Sequence, residues 1–283
     1  MRPFEYLEPE TLDEALALLA DDPDDTLVMA GGTALVILMK QDLVRPARVI
    51  GLRHLTELRQ IEATDGGVAL GALATHGALA RAPEVSAHAG ALAATFAAVA
   101  TVRIREQATL GGNLAHADPA QDPPVTLLAL DGVAVARSGT GSRRIPLDAL
   151  FVDVFETVLE PAELLLRVEL PPLPPSTRAT YQKFLPGTLD DYATVSVAAV
   201  VATDPGGICT HARIALGAAG PTPLRAREAE RSLVGRRLDD AAIGEAAALA
   251  AAATDPIDDL RGSAEYKRAM AGVWTARALR AVA

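Results

Sequence analysis

Cysteine is almost missing from this chain: in 283 residues it occurs once, as Cys209. One thiol excludes a disulfide framework, and it excludes an iron–sulfur cluster held by this chain, which takes about four thiolates. The five histidines (His54, His76, His88, His116 and His211) are scattered with no pair at metal-ligand spacing, so no metal site is expected. Basic charge is short as well: 26 Lys and Arg face 36 Asp and Glu, a formal net charge of −10. That balance argues against a nucleic-acid partner, because phosphate binding needs clustered Lys and Arg. The longest weakly polar run, Ala91 to Val102, is too short to span a bilayer and contains Thr95 and Thr101. Met1 to Glu5 has no apolar core of the signal-peptide kind. A cytoplasmic protein without membrane insertion is therefore expected. The G-x-G-x-x-G fingerprint is missing too, which leaves a Rossmann dinucleotide site unsupported. Redox or group-transfer chemistry here requires an organic cofactor or another subunit.

What is present reads as an ordinary globular composition, 50% hydrophobic and 22% charged, over a length sufficient for two or three units with their own cores. Thr11-Leu12-Asp13-Glu14 has the capping-box pattern, and Leu12, Ala15, Leu16 and Leu19 follow at helical spacing, predicting a helix over 12–20. The acidic run 21–25 reads as a solvated loop. A strand over 26–30, a Gly31-Gly32 turn, a helix over 34–41 and a strand over 49–52 form a small βαβ unit. Residues 60–73 read as a hairpin about Asp65-Gly66-Gly67. Thr75 caps a short helix, and 86–99 is predicted as one alanine-rich helix. Asp122-Pro123-Pro124 opens a helix to about Leu130, with Asp122 placed as N-cap and Pro123 at the first helical position. Strands follow at 133–136 and 164–170. Four prolines in 171–175 mark a boundary. Beyond it, strands at 179–184, 193–202 and 208–217 are followed by helices near 223–234, 239–253 and 264–282, a separate α+β domain. In the last strand Ile208, Thr210, Ala212, Ile214 and Leu216 are expected on one face.

Two double-glycine turns, Gly31-Gly32 and Gly111-Gly112, can carry chemistry. Without a Cβ, backbone N–H groups can converge on an anion, and a helix start just beyond adds unpaired N–H groups. Thr33 and Asn113 follow the pairs and can add side-chain hydrogen bonds. Two such turns could cradle the two phosphates of a dinucleotide. A single Gly-Gly is more often an ordinary turn, as Gly66-Gly67 and Gly206-Gly207 are read here.

Ala30-Gly31-Gly32-Thr33-Ala34-Leu35 with Met39-Lys40, and Thr109-Leu110-Gly111-Gly112-Asn113 with Asp122 beyond, resemble the FAD-binding subunits of the molybdenum hydroxylases. That family includes the medium subunit of aerobic carbon monoxide dehydrogenase and the flavin domain of xanthine dehydrogenase. The likeness runs from Pro3-Phe4-Glu5-Tyr6 through Glu163-Leu164-Leu165-Leu166, Lys183-Phe184, Asp190 to Ala193 and Ala218 to Arg225, and ends at Arg261 to Lys267. It implies an α+β chain with a vanillyl-alcohol-oxidase-like FAD fold of two α/β subdomains, 1–55 and 56–172. A C-terminal domain, 176–283, would hold a three-stranded antiparallel sheet with helices. By the same resemblance Val28, Met29, Ala30, Gly31, Gly32, Thr33, Ala34 and Leu35 wrap the FAD pyrophosphate. Thr109, Gly111, Gly112 and Asn113 hold it from the other side. Asp122 matches a carboxylate near the ADP part, Leu165 and Lys183 match two further FAD contacts, and Tyr192 lies close to a position some relatives bring near the flavin ring. Several relatives carry Arg or Lys between Lys183 and Asp190, where this chain has Leu185-Pro186-Gly187-Thr188-Leu189.

The implied function is electron transfer. A molybdenum-cofactor large subunit oxidises substrate, a [2Fe–2S] small subunit relays electrons, and FAD on this chain passes them on. No catalytic acid, base or triad is expected of the chain itself. Two other readings remain open at this point, a stand-alone FAD oxidoreductase and a flavin-free scaffold subunit. Asp122 could be purely a helix cap, and Leu165 a core residue in any fold.

Overall fold

In the computed structural model, which describes residues 2–188 and 190–283, the chain builds three larger sheets and a separate two-stranded hairpin, with three hydrophobic cores. The first holds β1 (Glu5–Leu7), β2 (Thr26–Met29) and β3 (Arg48–Gly51), all parallel, in the order β1-β3-β2. Parallel neighbours need crossovers, and α1 (Leu12–Asp21) and α2 (Leu35–Lys40) supply them. Ala15, Leu16 and Leu19 of α1 pack on Ile50 and Leu52. The capping box is half made: Thr11 Oγ1 accepts from Glu14 N–H at 3.2 Å, but the Glu14 carboxylate accepts from Glu10 N–H rather than from Thr11.

The second sheet is antiparallel and five-stranded. In chain order its strands are β4 (Ile61–Ala63), β5 (Val68–Gly71), β6 (Val133–Ser138), β7 (Gly141–Pro146) and β10 (Leu164–Leu170), arranged β4-β5-β10-β6-β7. A small hairpin, β8 (Phe151–Asp153) and β9 (Glu156–Thr157), precedes β10. The helices α3 (His76–Arg81), α4 (Pro83–His88), α5 (Gly90–Ala97), α6 (Val102–Arg105), α7 (Leu110–His116) and α8 (Asp122–Ala129) lie between β5 and β6. The single helix expected over 86–99 is in fact two. The chain turns at Ala89 (φ −156°, ψ 112°), so that Val85 on one helix and Leu92 and Phe96 on the other reach the same core.

The third sheet is β11 (Thr177–Phe184), β12 (Val195–Thr203), β13 (Cys209–Gly217) and β14 (Leu224–Arg225), antiparallel, covered by α9 (Arg227–Leu233), α10 (Asp240–Ala252) and α11 (Ala264–Val282). The two-residue β14 makes a fourth strand. The face expected along β13 holds only in part. Ala202 pairs with His211 and Thr203 with Cys209, which leaves Thr210 in a bulge. A bulge reverses the alternation, so Cys209 joins Ala212, Ile214 and Leu216 in the core while Thr210 is exposed. Among the described residues no helix is long and apolar enough to cross a membrane, and no cluster of His, Cys, Asp or Glu could hold a metal ion. Met1, and Leu189 of the 185–189 loop, lie outside the described residues.

A candidate dinucleotide cleft

The β2–α2 turn is built by two glycines with different duties. A Cβ on Gly31 would stand 2.1 Å from the Gln107 carbonyl oxygen, so this residue lets the 107–108 backbone of the second unit pack against the first. Gly32 turns the chain at φ +68°, a conformation that costs an L-residue strain. Past that turn, no acceptor among the described residues pairs with the N–H groups of Gly32, Thr33, Ala34 or Leu35. Their carbonyls start the helix instead: Val36 N–H donates to Gly32 O and Leu38 N–H to Ala34 O, each at 3.0 Å.

The second glycine pair differs from the expected turn. Gly111 and Gly112 lie in the first turn of α7, whose N-cap is Thr109. Its amides are all engaged within the protein. Leu110 N–H donates to Ala74 O (3.0 Å), Gly111 N–H to Ala72 O (2.7 Å), Gly112 N–H to Thr109 Oγ1 (3.2 Å) and Asn113 N–H to Thr109 O (2.9 Å). Free backbone donors therefore come from the first turn, while the second wall offers side chains. The Asn113 side-chain oxygen is buried there without a partner.

These walls enclose two adjoining chambers, of about 410 and 330 Å³, within the range of small-molecule sites. Val28, Met29, Ala30, Gly31, Gly32, Thr33, Ala34, Leu35, Thr109, Gly111, Gly112, Asn113 and Leu165 line the larger. Asp122, Lys183 and Tyr192 line the smaller. At the neck the chambers share Thr33, Ala34, Leu38, His76, Ala108, Asn113, His116 and Gln121. The strand β10 enters the wall with an irregularity: Leu165 pairs with Ala136 and Arg167 with Val135, leaving Leu166 unpaired on that side. Leu164 then faces the first core and Leu165 the second.

Asp122 is not the N-cap. Gln121 holds that position without a side-chain cap bond, and Asp122 is the first helical residue of α8. Its buried carboxylate is used elsewhere: Oδ1 accepts from the Tyr181 hydroxyl and Oδ2 from Lys183 Nζ at 2.9 Å. Burial pushes the Asp122 carboxyl up, against the pull of the Lys183 ammonium and the Tyr181 hydroxyl. Burial, reinforced by that carboxylate, raises the Tyr181 phenol. Lys183 also donates to Ala98 O at 3.2 Å, so its head is fixed at the chamber wall. At the mouth the Arg261 guanidinium lies 5.3 Å from the Tyr192 ring centroid, and Phe155 (φ +60°) packs on His116 with centroids 5.0 Å apart.

His76 and Gln121, which no motif in the sequence singles out, both stand at the neck. His76 is fully buried, and neither ring nitrogen has a partner. Burial pushes its imidazole down to about 4. Nothing in its local sequence distinguishes it from the other four histidines; only the fold brings it to the neck that Asn113 and Gln121 also line.

Two chambers joined by a polar neck, with unpaired amides on one wall and orphaned side-chain polar atoms on the other, suit a ligand with two ring systems and a polar middle. That is the class of dinucleotide-binding proteins. Residues 2–173 match the family model for the FAD binding domain in molybdopterin dehydrogenase, and residues 179–282 match that for the CO dehydrogenase flavoprotein C-terminal domain. The chain is 37% identical to the 6-hydroxypseudooxynicotine dehydrogenase complex subunit alpha of Paenarthrobacter nicotinovorans, over 93% of this chain and 89% of that one. It is 34% identical to the carbon monoxide dehydrogenase medium chain of Hydrogenophaga pseudoflava, over 98% and 96%. The structure of carbon monoxide dehydrogenase from that organism, lacking the Mo-pyranopterin moiety of its cofactor, superposes with a TM-score of 0.96 at 36% identity, covering 100% of this chain and 98% of that one. The protein belongs to the FAD-binding flavoprotein family of the molybdopterin dehydrogenases. Its fold class is therefore the expected one, its cofactor is FAD, and it is a subunit of an oxidoreductase.

Proposed function

We propose that this chain is the electron-relay subunit of a cytoplasmic three-subunit molybdenum hydroxylase. It would receive electrons from [2Fe–2S] clusters on a small subunit, fed by a molybdenum-cofactor large subunit, and pass them through FAD to an external acceptor. The observation that carries this reading is the cleft set beside the cysteine count: the walls suit a flavin dinucleotide, while Cys209 is the chain's one thiol and is buried in the C-terminal core. Clusters must then lie on another polypeptide. The names of the relatives, medium chain and complex subunit, support the same division of labour.

FAD, when bound, supplies the redox chemistry, and the protein supplies binding, orientation and electrostatics. In this reading the unpaired amides of Gly32 to Leu35 face the pyrophosphate, and Thr109, Gly111, Gly112 and Asn113 close the opposite wall. Leu165 borders the larger chamber at the β10 irregularity. Lys183 presents its ammonium to the smaller one, and Asp122 serves by holding Lys183 in place. The units divide at 1–55, 56–172 and 176–283. Purification from the native source tests the reading. Two co-eluting chains are expected, one carrying iron and labile sulfide and the other molybdenum, and acid denaturation should release all the flavin. A yellow monomer that oxidises substrate at full rate on its own would refute it.

A further inference from the structure

Several buried side-chain polar atoms of the described chain lack a hydrogen-bond partner, and those of His76, Asn113 and Gln121 belong to residues that line both chambers at the neck. An unpaired buried polar atom is costly, and each one in a native structure calls for a physical explanation. Four such atoms on three residues of the neck share a single one if a bound ligand pairs with them.

Their chemistry is uniform. With its imidazole pushed down to about 4, His76 is uncharged at neutral pH and offers one donor and one acceptor. The Asn113 and Gln121 amides likewise donate and accept without charge. The flanking walls are of another kind. Unpaired backbone N–H groups, suited to an anion, lie on one side, and the Asp122–Lys183 pair with Ile37, Val99 and Ile104 lies on the other. Neutral groups that both donate and accept match hydroxyls, which do the same, better than they match phosphate or an aromatic face.

Two of the three are also held firmly. His76 opens α3, its N–H donates to Ala108 O at 3.0 Å, and its ring stacks on Phe96 with centroids 5.7 Å apart and planes 20° apart. Gln121 is the N-cap of α8, and its N–H donates to Asp118 O at 3.2 Å.

We infer that His76 and Gln121, with Asn113, form a polyol-recognising strip that holds the ribityl hydroxyls of FAD. The inference rests on the FAD reading above. It assigns the neck to the uncharged chain between the pyrophosphate and the flavin ring.

The test uses two probes, FAD and an FAD analogue with a plain alkyl chain in place of the ribityl chain. Each is titrated by fluorescence into the flavin-freed native protein and into His76→Phe and Gln121→Leu. Each variant should bind FAD roughly tenfold more weakly than wild type, the loss of one hydrogen bond, and should bind the analogue as wild type does. Equal weakening toward both probes would make these residues packing elements and overturn the inference, as would unchanged FAD affinity. If His76→Phe does not fold, Gln121→Leu decides alone. Wild type that fails to bind FAD would refute the FAD reading itself. Wild-type binding with unselective variants would refute only the strip.

Discussion

His76 shows how a single side chain can be tuned by its surroundings alone. No carboxylate or cation acts on it; burial by itself moves its imidazole from 6.5 to about 4. The sign of the consequence follows from linkage. The unfolded chain takes up this proton near pH 6.5 and the folded chain only near 4, so stability is lost as pH falls through that window. Between pH 7 and pH 5 the wild-type protein should lose about 2 kcal/mol more unfolding free energy than His76→Phe, which has no proton to bind. Urea unfolding of both flavin-free proteins at the two pH values measures this. Parallel losses would mean that the imidazole is protonated in the folded state as readily as in the unfolded one. The local sequence, Ala74-Thr75-His76-Gly77, announces a helix cap and nothing of this burial, in which the ring stacks on Phe96 and the backbone is bonded to Ala108.

At the scale of the element, the two glycines of the β2–α2 turn look equivalent in sequence and are not. Gly32→Ala must hold an L-residue at φ +68° beside the flexible Met29 side chain, a strain of about 1–2 kcal/mol. Gly31→Ala drives a methyl into a backbone carbonyl of another unit, which cannot move without shifting α6 and α7, and should cost about 3 kcal/mol. Chemical denaturation ranks the two variants. Gly32→Ala proving the more damaging would contradict the packing role assigned to Gly31. The α8 helix carries a related lesson. Every residue from Asp122 to Ala129 is buried, between α5 on one side and β12 and β13 on the other. A helix covered all round shows no amphipathic period, which is why its start was legible from Asp122-Pro123-Pro124 and its surroundings were not.

Across the whole molecule, α8 is also where the FAD-binding units meet the C-terminal domain. At its start Asp122 pairs with Lys183 of β11. Just past its end Asp131 accepts from Arg225 (2.7 Å) and Arg213 (2.9 Å) of the third sheet. Arg225 is further bound to the buried Glu230, so this second joint is a network. The first joint gives a prediction that separates its role from helix capping. A cap at this position would tolerate Asp122→Asn, because Asn caps about as well as Asp, within a few tenths of a kcal/mol. An ion pair closed off from solvent does not, since the Lys183 ammonium is left buried and unpaired, at a cost of about 3 kcal/mol. The unfolding free energy of flavin-free Asp122→Asn at pH 7 should fall by that amount. A change within about 0.5 kcal/mol would restore the capping role.

Much of this protein is determined locally. The capping residues Thr11 and Thr75, the βαβ order about Gly31-Gly32, the proline break at 171–175 and the strands-then-helices pattern of the last hundred residues depend on neighbours in the chain, and so they can be read from it. The lone cysteine likewise bears on partners without any structure. Other features are set by residues distant in sequence. The break at Ala89 and the bulge at Thr210 exist because side chains on both sides must reach a shared core, against the alanine run and the strict alternation that local rules favour. The engagement of the Leu110 and Gly111 amides by Ala74 and Ala72, the hold of Asp122 on Lys183 and the burial of His76 against Phe96 all depend on residues distant in the chain. Hydrogen bonds and burial act at short range in space and are indifferent to separation along the chain, so the polar neck of the cleft was for the tertiary structure to decide.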